Sequence, residues 1–144
     1  MPTRAPVPAT PANLLAALLT AYERHDAAAA ARLYAPDGIH EDVAQGTVKR
    51  GPEAIGRGLA GFLESVPDLT WRPQTIVADE RAAAVAYVAT GTLRRPLGPY
   101  APHGQRLRIP GLLTIAVADG AIAASHDYWD RETLHRQLSA RPRA

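Results

Sequence analysis

The chain divides into a first part with the three- and four-residue apolar spacing of helices and a second part with strand-like runs. The first predicted helix follows Asn13, its expected N-cap, and the second follows Asp26 and runs through alanines to Tyr34. Pro52 begins the third helix, which ends at Pro67-Asp68. The apolar side chains expected to face inward on the first and third helices are Leu14, Leu15, Leu18, Leu19, Tyr22, Ile55, Leu59, Phe62 and Leu63.

A short strand is predicted between the second and third helices. Pro36-Asp37-Gly38 has the composition of a turn, and the strand runs from Ile39 to Val43. Because side chains alternate along a strand, His40 and Asp42 share one face and Glu41 lies on the other. The pattern therefore places an imidazole and a carboxylate side by side.

Four longer strands and a terminal helix are predicted in the second half. The turn pair Asp119-Gly120 tolerates the positive φ of a tight hairpin and joins the last two strands, and Asp130 caps a helix that runs to Leu138. Pro110-Gly111 indicates a bulge or bend in the third strand. A loop rich in proline and glycine spans Arg95 to Gln105. The four strands are expected at 70–78, 83–93, 107–118 and 122–129.

This order of elements predicts a single α+β domain. We expect a curved, mostly antiparallel sheet that wraps around the N-terminal helices and encloses a cone-shaped pocket. The domain is predicted to span residues 13–139. A proline-rich arm at 1–12 and a short tail at 140–144 are expected to be disordered.

The composition excludes several classes of function. The chain carries 16 basic and 14 acidic residues, a net charge of +2, and no long Lys/Arg run, so we expect neither a nucleic-acid partner nor a membrane-surface one. The absence of cysteine excludes disulfides and thiolate metal sites. The apolar run Leu14 to Leu19 continues into polar residues at the same helical period, which favours a cytoplasmic protein over a signal peptide.

Neither a metal ion nor an organic cofactor is expected. His40, Glu41 and Asp42 are three possible ligands, but strand alternation turns Glu41 away from the other two. Gly56-Arg57-Gly58 lies inside a predicted helix, whereas a phosphate-binding loop follows a strand.

The first catalytic candidate is Asp127, on the last strand beside Tyr128 and Trp129. A carboxylate in such an apolar setting costs free energy unless it is exposed, paired or used in chemistry. Asp127 is therefore a candidate acid–base group, with a satisfied or solvated carboxylate as the alternative. The neighbouring His126 lies on the opposite strand face and is expected to be a surface or interface histidine.

Asp42 and His40 are the second pair of catalytic candidates. A carboxylate beside an imidazole can exchange a proton near pH 7; the alternative is an edge-strand acid that faces water. The aromatic residues are candidates for substrate contact or for the core, and Tyr100 and His103 lie on a loop that either closes over the pocket as a lid or stays solvated. The candidate substrate-binding residues are Tyr34, Phe62, Trp71, Tyr100 and Trp129.

Four motifs in the same order resemble a known group of proteins. The stretch from Leu33 to Asp42 is similar to the ketosteroid isomerase segment that ends on its general base. Val66-Pro67-Asp68-Leu69 and Pro102-His103-Gly104-Gln105 resemble two turns of SnoaL-like polyketide cyclases, and Asp127-Tyr128-Trp129-Asp130 resembles the ending of epoxide hydrolases and cyclases. The chain thus resembles the cystatin-like α+β barrel of the nuclear transport factor 2 superfamily.

The departures from this resemblance bear on the reaction. Leu18 falls where ketosteroid isomerase has its oxyanion tyrosine, and Tyr22 lies one helical turn further on. The Arg/Asp pair of limonene-epoxide hydrolase is missing from residues 89–92, which carry no charge. Asp127 occupies the position of the acid–base aspartate of SnoaL-type cyclases, whereas the histidine of their preceding strand falls near Leu113.

The resemblance implies a cofactor-independent cyclase or isomerase of a hydrophobic polyketide-type intermediate. In this hypothesis either one group of the Asp42/His40 pair or Asp127 removes a proton next to a carbonyl, and the other side returns a proton to the oxyanion or leaving oxygen. In a second version the apolar pocket only templates ring closure. The alternatives are an epoxide hydrolase or epoxide-opening cyclase, a hydroxylase, and a non-catalytic binding or dimerisation domain. A homodimer formed through the sheet is expected.

Overall fold

The computed structural model describes residues 8–141. Most of the arm and tail predicted to be disordered lies outside these residues, at 1–7 and 142–144. The helices are α1 Pro11–Glu23, α2 Ala27–Ala31, α3 Pro52–Ser65 and α4 Arg131–Leu138. The strands are β1 Tyr34–Asp42, β2 Thr47–Arg50, β3 Thr70–Ala78, β4 Ala82–Thr92, β5 Arg106–Ala118 and β6 Ala121–Trp129. The predicted α+β class is confirmed.

The six strands form one sheet in the order β2-β1-β6-β5-β4-β3. All neighbours are antiparallel except β1 and β6, which run parallel. The hairpin between β5 and β6 turns at Asp119 and Gly120, whose φ angles of 52° and 75° match the predicted tight turn. The parallel pair brings the first strand of the chain beside the last.

The core lies between α1 and one face of the sheet. On α1, Leu15 and Leu18 have no exposed surface, and they belong to the same apolar cluster as Val85 of β4 and Ile115 of β5. Burying one such side chain stabilises the fold by roughly 1.5–3 kcal/mol. This packing fixes the sheet face from which the polar site residues project.

Three helix caps show how local chemistry sets the element boundaries. The cap of α1 is Thr10 rather than the predicted Asn13, because the Thr10 hydroxyl accepts the backbone N–H of Asn13 at 3.2 Å. Asp26 and Asp130 cap α2 and α4 as predicted, and each carboxylate accepts a backbone N–H of the first turn.

The region predicted as a helix end followed by a turn is a strand. Helix α2 ends at Ala31, and Tyr34 is the first residue of β1. Residues 35–38 lie within β1 but have no partner on β6, because the register passes from Tyr34 opposite Ile122 directly to Ile39 opposite Ala124. At Gly38 a Cβ atom would lie 2.9 Å from the backbone oxygen of Ile122 on β6. Gly38 therefore allows β1 and β6 to approach each other closely.

Two further differences concern β2 and β5. Strand β2 was not predicted; it is four residues long, mostly polar and paired with β1 after a turn at Gly46, whose φ is 69°. Of the bulge or bend predicted at Pro110-Gly111, the bulge is absent, because the β4–β5 register runs through both residues without a shift. The β5–β6 register shifts instead between Ala116 and Val117.

Asp68, from the turn motif that follows α3, has a structural role. Its carboxylate accepts the backbone N–H of Thr92 at 2.7 Å and the Thr92 hydroxyl at 2.8 Å. Partial burial acts to raise the pKa of Asp68, but these hydrogen bonds outweigh it and hold the pKa below its usual value. The motif thereby ties the α3–β3 turn to the end of β4.

Candidate active site

A cavity of about 450 Å³ lies between the helices and the concave side of the sheet. This volume falls within the roughly 300–1,000 Å³ typical of small-molecule sites. Its apolar wall comes from α1, α3, α4, β3, β4 and β5, and includes Leu18, Ile55, Leu59, Phe62, Trp71, Ala89, Leu107, Ile109 and Leu134. The cavity therefore suits a hydrophobic ligand.

Polar side chains enter this cavity from three neighbouring strands. One row across β6, β1 and β2 consists of Asp127, Asp42 and Thr47, which are paired in register. The adjacent row consists of Ser125, His40 and Lys49. Strand alternation puts both rows on one face. The structure thus places the predicted candidates Asp127, Asp42 and His40 on one cavity wall.

Asp127 is held by a tyrosine from a strand that is not its neighbour. The Tyr87 hydroxyl on β4 donates a hydrogen bond of 2.6 Å to Oδ1 of Asp127 on β6. Its ring passes over Gly111 of the intervening strand β5, where a Cβ atom would overlap the Cζ and Oη atoms of Tyr87. Gly111 is therefore required for this contact.

Burial raises the pKa of Asp127 to about 6. The hydrogen bond from Tyr87 acts in the opposite direction, and the charge of Asp42 adds to the rise. A carboxyl group with such a pKa exchanges protons readily at neutral pH. The pKa of Tyr87 is itself raised, mainly by burial and then by the charge of Asp127, so its hydroxyl stays protonated and remains a donor.

Asp42 is fixed by two donors. Trp129 donates its indole N–H to Oδ1 of Asp42 at 3.0 Å, and the backbone N–H of Gln45 donates to the same oxygen at 3.0 Å. The second contact belongs to the turn between β1 and β2. These bonds orient the Asp42 carboxylate at the cavity wall and leave its other oxygen for a further partner.

Two side chains, Tyr34 and Ser125, form a hydrogen-bonded chain that supports His40. The Tyr34 hydroxyl lies 2.7 Å from Oγ of Ser125, and Nδ1 of His40 lies 2.7 Å from the same atom. Ser125 has no exposed surface. Burial lowers the pKa of His40, so its imidazole is neutral at pH 7, and burial raises the pKa of Tyr34 to about 12.

Four of the five aromatic residues predicted to contact substrate lie on the cavity wall: Tyr34, Phe62, Trp71 and Trp129. Tyr22 also lies there; its ring packs on Trp71 with centroids 4.5 Å apart. Tyr100 lies outside the cavity, with its hydroxyl 2.7 Å from Nδ1 of His135 on α4. The Tyr100 contact ties the loop to the terminal helix, so Tyr100 does not reach the cavity wall, although Leu97 of the same loop does.

His126 and His103 also lie outside the cavity. His126 lies on the opposite sheet face, as alternation predicts, with Nε2 3.3 Å from a carboxylate oxygen of Glu41. His103 belongs to the loop before β5, where its backbone N–H donates to Oε1 of Gln105 at 2.5 Å. Neither histidine can reach the Asp127 carboxylate in this arrangement.

Sequence reasoning missed Tyr87 and Ser125 as site residues. Tyr87 is in phase with the buried Val85 and Ala89, so the pattern only places it in the core. Ser125 is in phase with Asp127, which puts it on the cavity face. For Ser125 the available indication was a polar residue two positions from a candidate acid, whereas for Tyr87 no local pattern pointed to Asp127.

The remaining chemistry of the described chain is limited. Within residues 8–141, no group of three or more His, Asp or Glu residues is arranged to hold a metal ion. No helix in this part of the chain is long and apolar enough to cross a membrane.

Solved structures with the same fold are numerous. IdmH, a candidate polyketide cyclase from Streptomyces antibioticus, is 27% identical, with a TM-score of 0.73 over 90% of this chain and 99% of its own. A candidate polyketide cyclase from Xanthomonas campestris pv. campestris is 24% identical, with a TM-score of 0.81 over 89% of this chain and 96% of its own. AclR, a candidate hydroxylase from Streptomyces galilaeus, is 21% identical, with a TM-score of 0.77 over 92% of this chain and 87% of its own.

The family assignment rests on the sequence itself. No protein of curated function matches the chain at a significant level. The family model described as a SnoaL-like domain matches residues 15–125, which include most of the elements that build the cavity. The chain therefore belongs to the family of SnoaL-like domains.

Proposed function

We propose that the protein is a cofactor-independent cyclase or isomerase that acts on a hydrophobic, polyketide-type intermediate by general acid–base catalysis. The observation that carries this proposal is a partly buried carboxyl group, Asp127, on the wall of a mainly apolar cavity and hydrogen-bonded to Tyr87. Similarity to candidate polyketide cyclases, including IdmH at 27% identity, supports the class of substrate.

The proposed reaction begins with proton removal next to a carbonyl group. The ionised Asp127 takes the proton, the C–H bond breaks, and its electron pair forms an enolate. In an isomerase the protonated Asp127 returns the proton to another carbon atom of the enolate. In a cyclase the enolate carbon attacks a second carbonyl carbon of the folded chain, and the new alkoxide oxygen takes the proton from Asp127.

The shape of the cavity contributes the rest of the rate. General acid–base catalysis supplies about 10²–10⁴-fold, and holding two reacting groups in contact supplies a further gain because the reaction becomes intramolecular. The apolar side chains of α1 and α3 exclude water from the enolate. A pKa of about 6 keeps Asp127 largely ionised at pH 7 while its conjugate acid remains a competent donor.

Proton removal can be tested without the natural substrate. Hydrophobic ketones such as 2-tetralone exchange the protons next to the carbonyl in D₂O, and proton NMR follows the loss of signal. We expect the wild-type protein to accelerate this exchange and Asp127→Asn to lose about 10²–10⁴-fold of the acceleration. The matched control is Asp130→Asn, which changes an exposed helix cap three residues away.

The other outcomes separate the alternatives. Equal exchange by wild type and Asp127→Asn would contradict acid–base catalysis by Asp127 and would favour a cavity that only templates ring closure. Tight binding of the ketones with no exchange by the wild type would favour a non-catalytic binding domain.

A further inference from the structure

We infer that His40 presents a neutral Nε2–H group to the cavity as the hydrogen-bond donor for the substrate's carbonyl oxygen, and that Tyr34 and Ser125 fix this tautomer. The inference starts from a chain of two short hydrogen bonds. Oγ of Ser125 lies 2.7 Å from both the Tyr34 hydroxyl and Nδ1 of His40. The ring of His40 lines the cavity, and its Nδ1 edge is occupied by Ser125.

Counting protons along the chain leaves one arrangement that satisfies every group. A serine hydroxyl has one hydrogen and accepts through its lone pairs. If Nδ1–H of His40 donated to Ser125, either the Ser125 hydrogen or the Tyr34 hydrogen would need another acceptor. Within residues 8–141, Oγ of Ser125 has no third hydrogen-bond partner and the Tyr34 hydroxyl has no second one.

The remaining arrangement runs in one direction. Tyr34 donates to Ser125, and Ser125 donates to Nδ1 of His40, which must then be the unprotonated nitrogen. The neutral ring accordingly carries its proton on Nε2. A buried hydroxyl hydrogen without an acceptor costs free energy, which favours this tautomer over the alternatives.

The surroundings of His40 keep the ring neutral. Burial lowers its pKa; the carboxylate of Asp42 on the same strand opposes this effect, whereas Lys49 of β2 and His126 of β6 add to it. Ser125 and Tyr34 are neutral hydroxyl groups. Lys49 is half-buried at the cavity lining beside His40 and opposes a second positive charge there.

In this arrangement one strand supplies the base and another supplies the hydrogen-bond donor. Asp127 of β6 takes the proton from carbon, while Nε2–H of His40 on β1 hydrogen-bonds the oxygen on which negative charge develops. The proton stays on Nε2 throughout, so His40 acts as a donor and not as a base. Tyr34 and Ser125 are positioning residues. The donor role of His40 rests on the proposed function, whereas its tautomer does not.

The tautomer can be measured directly by NMR on ¹⁵N-labelled protein at pH 8. Long-range proton–nitrogen correlations should show His40 with the proton on Nε2, and in Ser125→Ala the Nδ1 resonance should shift as it loses its hydrogen-bond donor. The control is Ser139→Ala, which alters a weaker contact of 3.4 Å to Nδ1 of His135 outside the cavity. A proton on Nδ1 of His40 in the wild type would overturn the inference.

A second pair of variants tests the donor role. In His40→Gln the side-chain amide still donates a hydrogen bond but cannot titrate, whereas His40→Ala removes the donor. We expect ketone exchange to fall by about 10²–10³-fold in His40→Ala and by much less in His40→Gln, with an unchanged pH profile. Equal losses in both variants would contradict the donor role. The tautomer measurement needs no substrate, so its result holds even if no exchange is found.

Discussion

At the residue scale, the site depends on how two opposing effects set the protonation of Asp127. Burial raises its pKa, and the hydrogen bond from Tyr87 lowers it because the bond stabilises the ionised form. The balance leaves the pKa at about 6. Tyr87 therefore tunes the proposed base without itself lining the cavity.

Removal of the Tyr87 hydroxyl should raise the pKa of Asp127 further. In Tyr87→Phe the ionised carboxylate loses its donor, and we expect the inflection of the pH–rate profile for ketone exchange to move up by about one unit. Exchange at pH 6 should fall more than exchange at pH 8. The control is Tyr128→Phe, an exposed tyrosine that neighbours Asp127 in sequence. An unchanged or lower inflection in Tyr87→Phe would contradict this account.

Asp127 should also lower the stability of the protein above neutral pH. Its pKa rises from an unfolded value of about 4 to about 6 in the fold. Below pH 4 both states hold the proton and there is no penalty. Between pH 4 and 6 the unfolded chain ionises first, so the free energy of unfolding falls, and above pH 6 the loss is constant at up to about 3 kcal/mol.

We therefore expect Asp127→Asn to be more stable than the wild type by up to about 3 kcal/mol at pH 8 and nearly equal to it at pH 4. Urea unfolding at the two pH values measures this difference. The control is Asp37→Asn, which changes an exposed acid on β1 outside the cavity. Lower stability of Asp127→Asn at pH 8 would show that the ionised Asp127 carboxylate does not destabilise the folded protein.

The sequence supports prediction of part of the site at this scale. Asp127 was selected from its apolar neighbours and from the resemblance. Side-chain alternation then put His40 and Asp42 on one strand face and excluded His126. It was not enough to select Tyr87, because no local pattern shows that its hydroxyl crosses a strand to reach Asp127. That contact depends on the strand order β6-β5-β4 and on a glycine opposite the ring.

At the element scale, β5 allows a side chain of β4 to reach β6. Gly111 has no side chain, and the gap that it leaves on the surface of β5 accommodates the Tyr87 ring. Gly111 pairs with Tyr87 on one side and with Trp129 on the other. The composition of Pro110-Gly111 predicted a bulge, but the glycine is there for side-chain space within a regular strand. A strand position can thus be essential to a site without contributing a side chain.

We expect Gly111→Ala to reproduce the effect of Tyr87→Phe on the pKa of Asp127. The new methyl group displaces the Tyr87 ring and breaks its hydrogen bond, and the crowding should lower the free energy of unfolding by about 1–3 kcal/mol. Carboxyl ¹³C NMR and urea unfolding measure the two effects. Gly61→Ala on α3, where nothing lies within 4 Å of the added Cβ, should instead be neutral or stabilising. An unchanged pKa in Gly111→Ala would contradict the role assigned to the gap.

The elements themselves were predictable where caps, turns and long runs agree. The helices begin at Pro52 and after Asp130 as expected, and the β5–β6 turn lies at Asp119-Gly120. Strand β2 was missed because four mostly exposed residues carry no periodic pattern. The composition of Pro36-Asp37-Gly38 predicted a turn between elements; these residues instead form an irregularity inside β1, where the register passes from Tyr34 opposite Ile122 to Ile39 opposite Ala124.

At the scale of the whole molecule, the sheet order assembles the site from distant parts of the sequence. The parallel pairing of β1 and β6 puts Asp42 and His40 beside Asp127 and Ser125. Helices α1 and α3 close the other side mostly with apolar residues, although Arg57 of α3 also lines the cavity. The mainly apolar surroundings make the Asp127 carboxyl group costly to ionise, and that cost raises its pKa.

The measurement that tests this account most directly is a titration of the Asp127 carboxyl group by ¹³C NMR, with the resonance assigned by its loss in Asp127→Asn. We expect a pKa of about 6, because the carboxyl group is buried in the cavity wall and its ionised form is only partly compensated by Tyr87. An ordinary value of about 4 would show a solvated carboxylate and would contradict the proposed acid–base role.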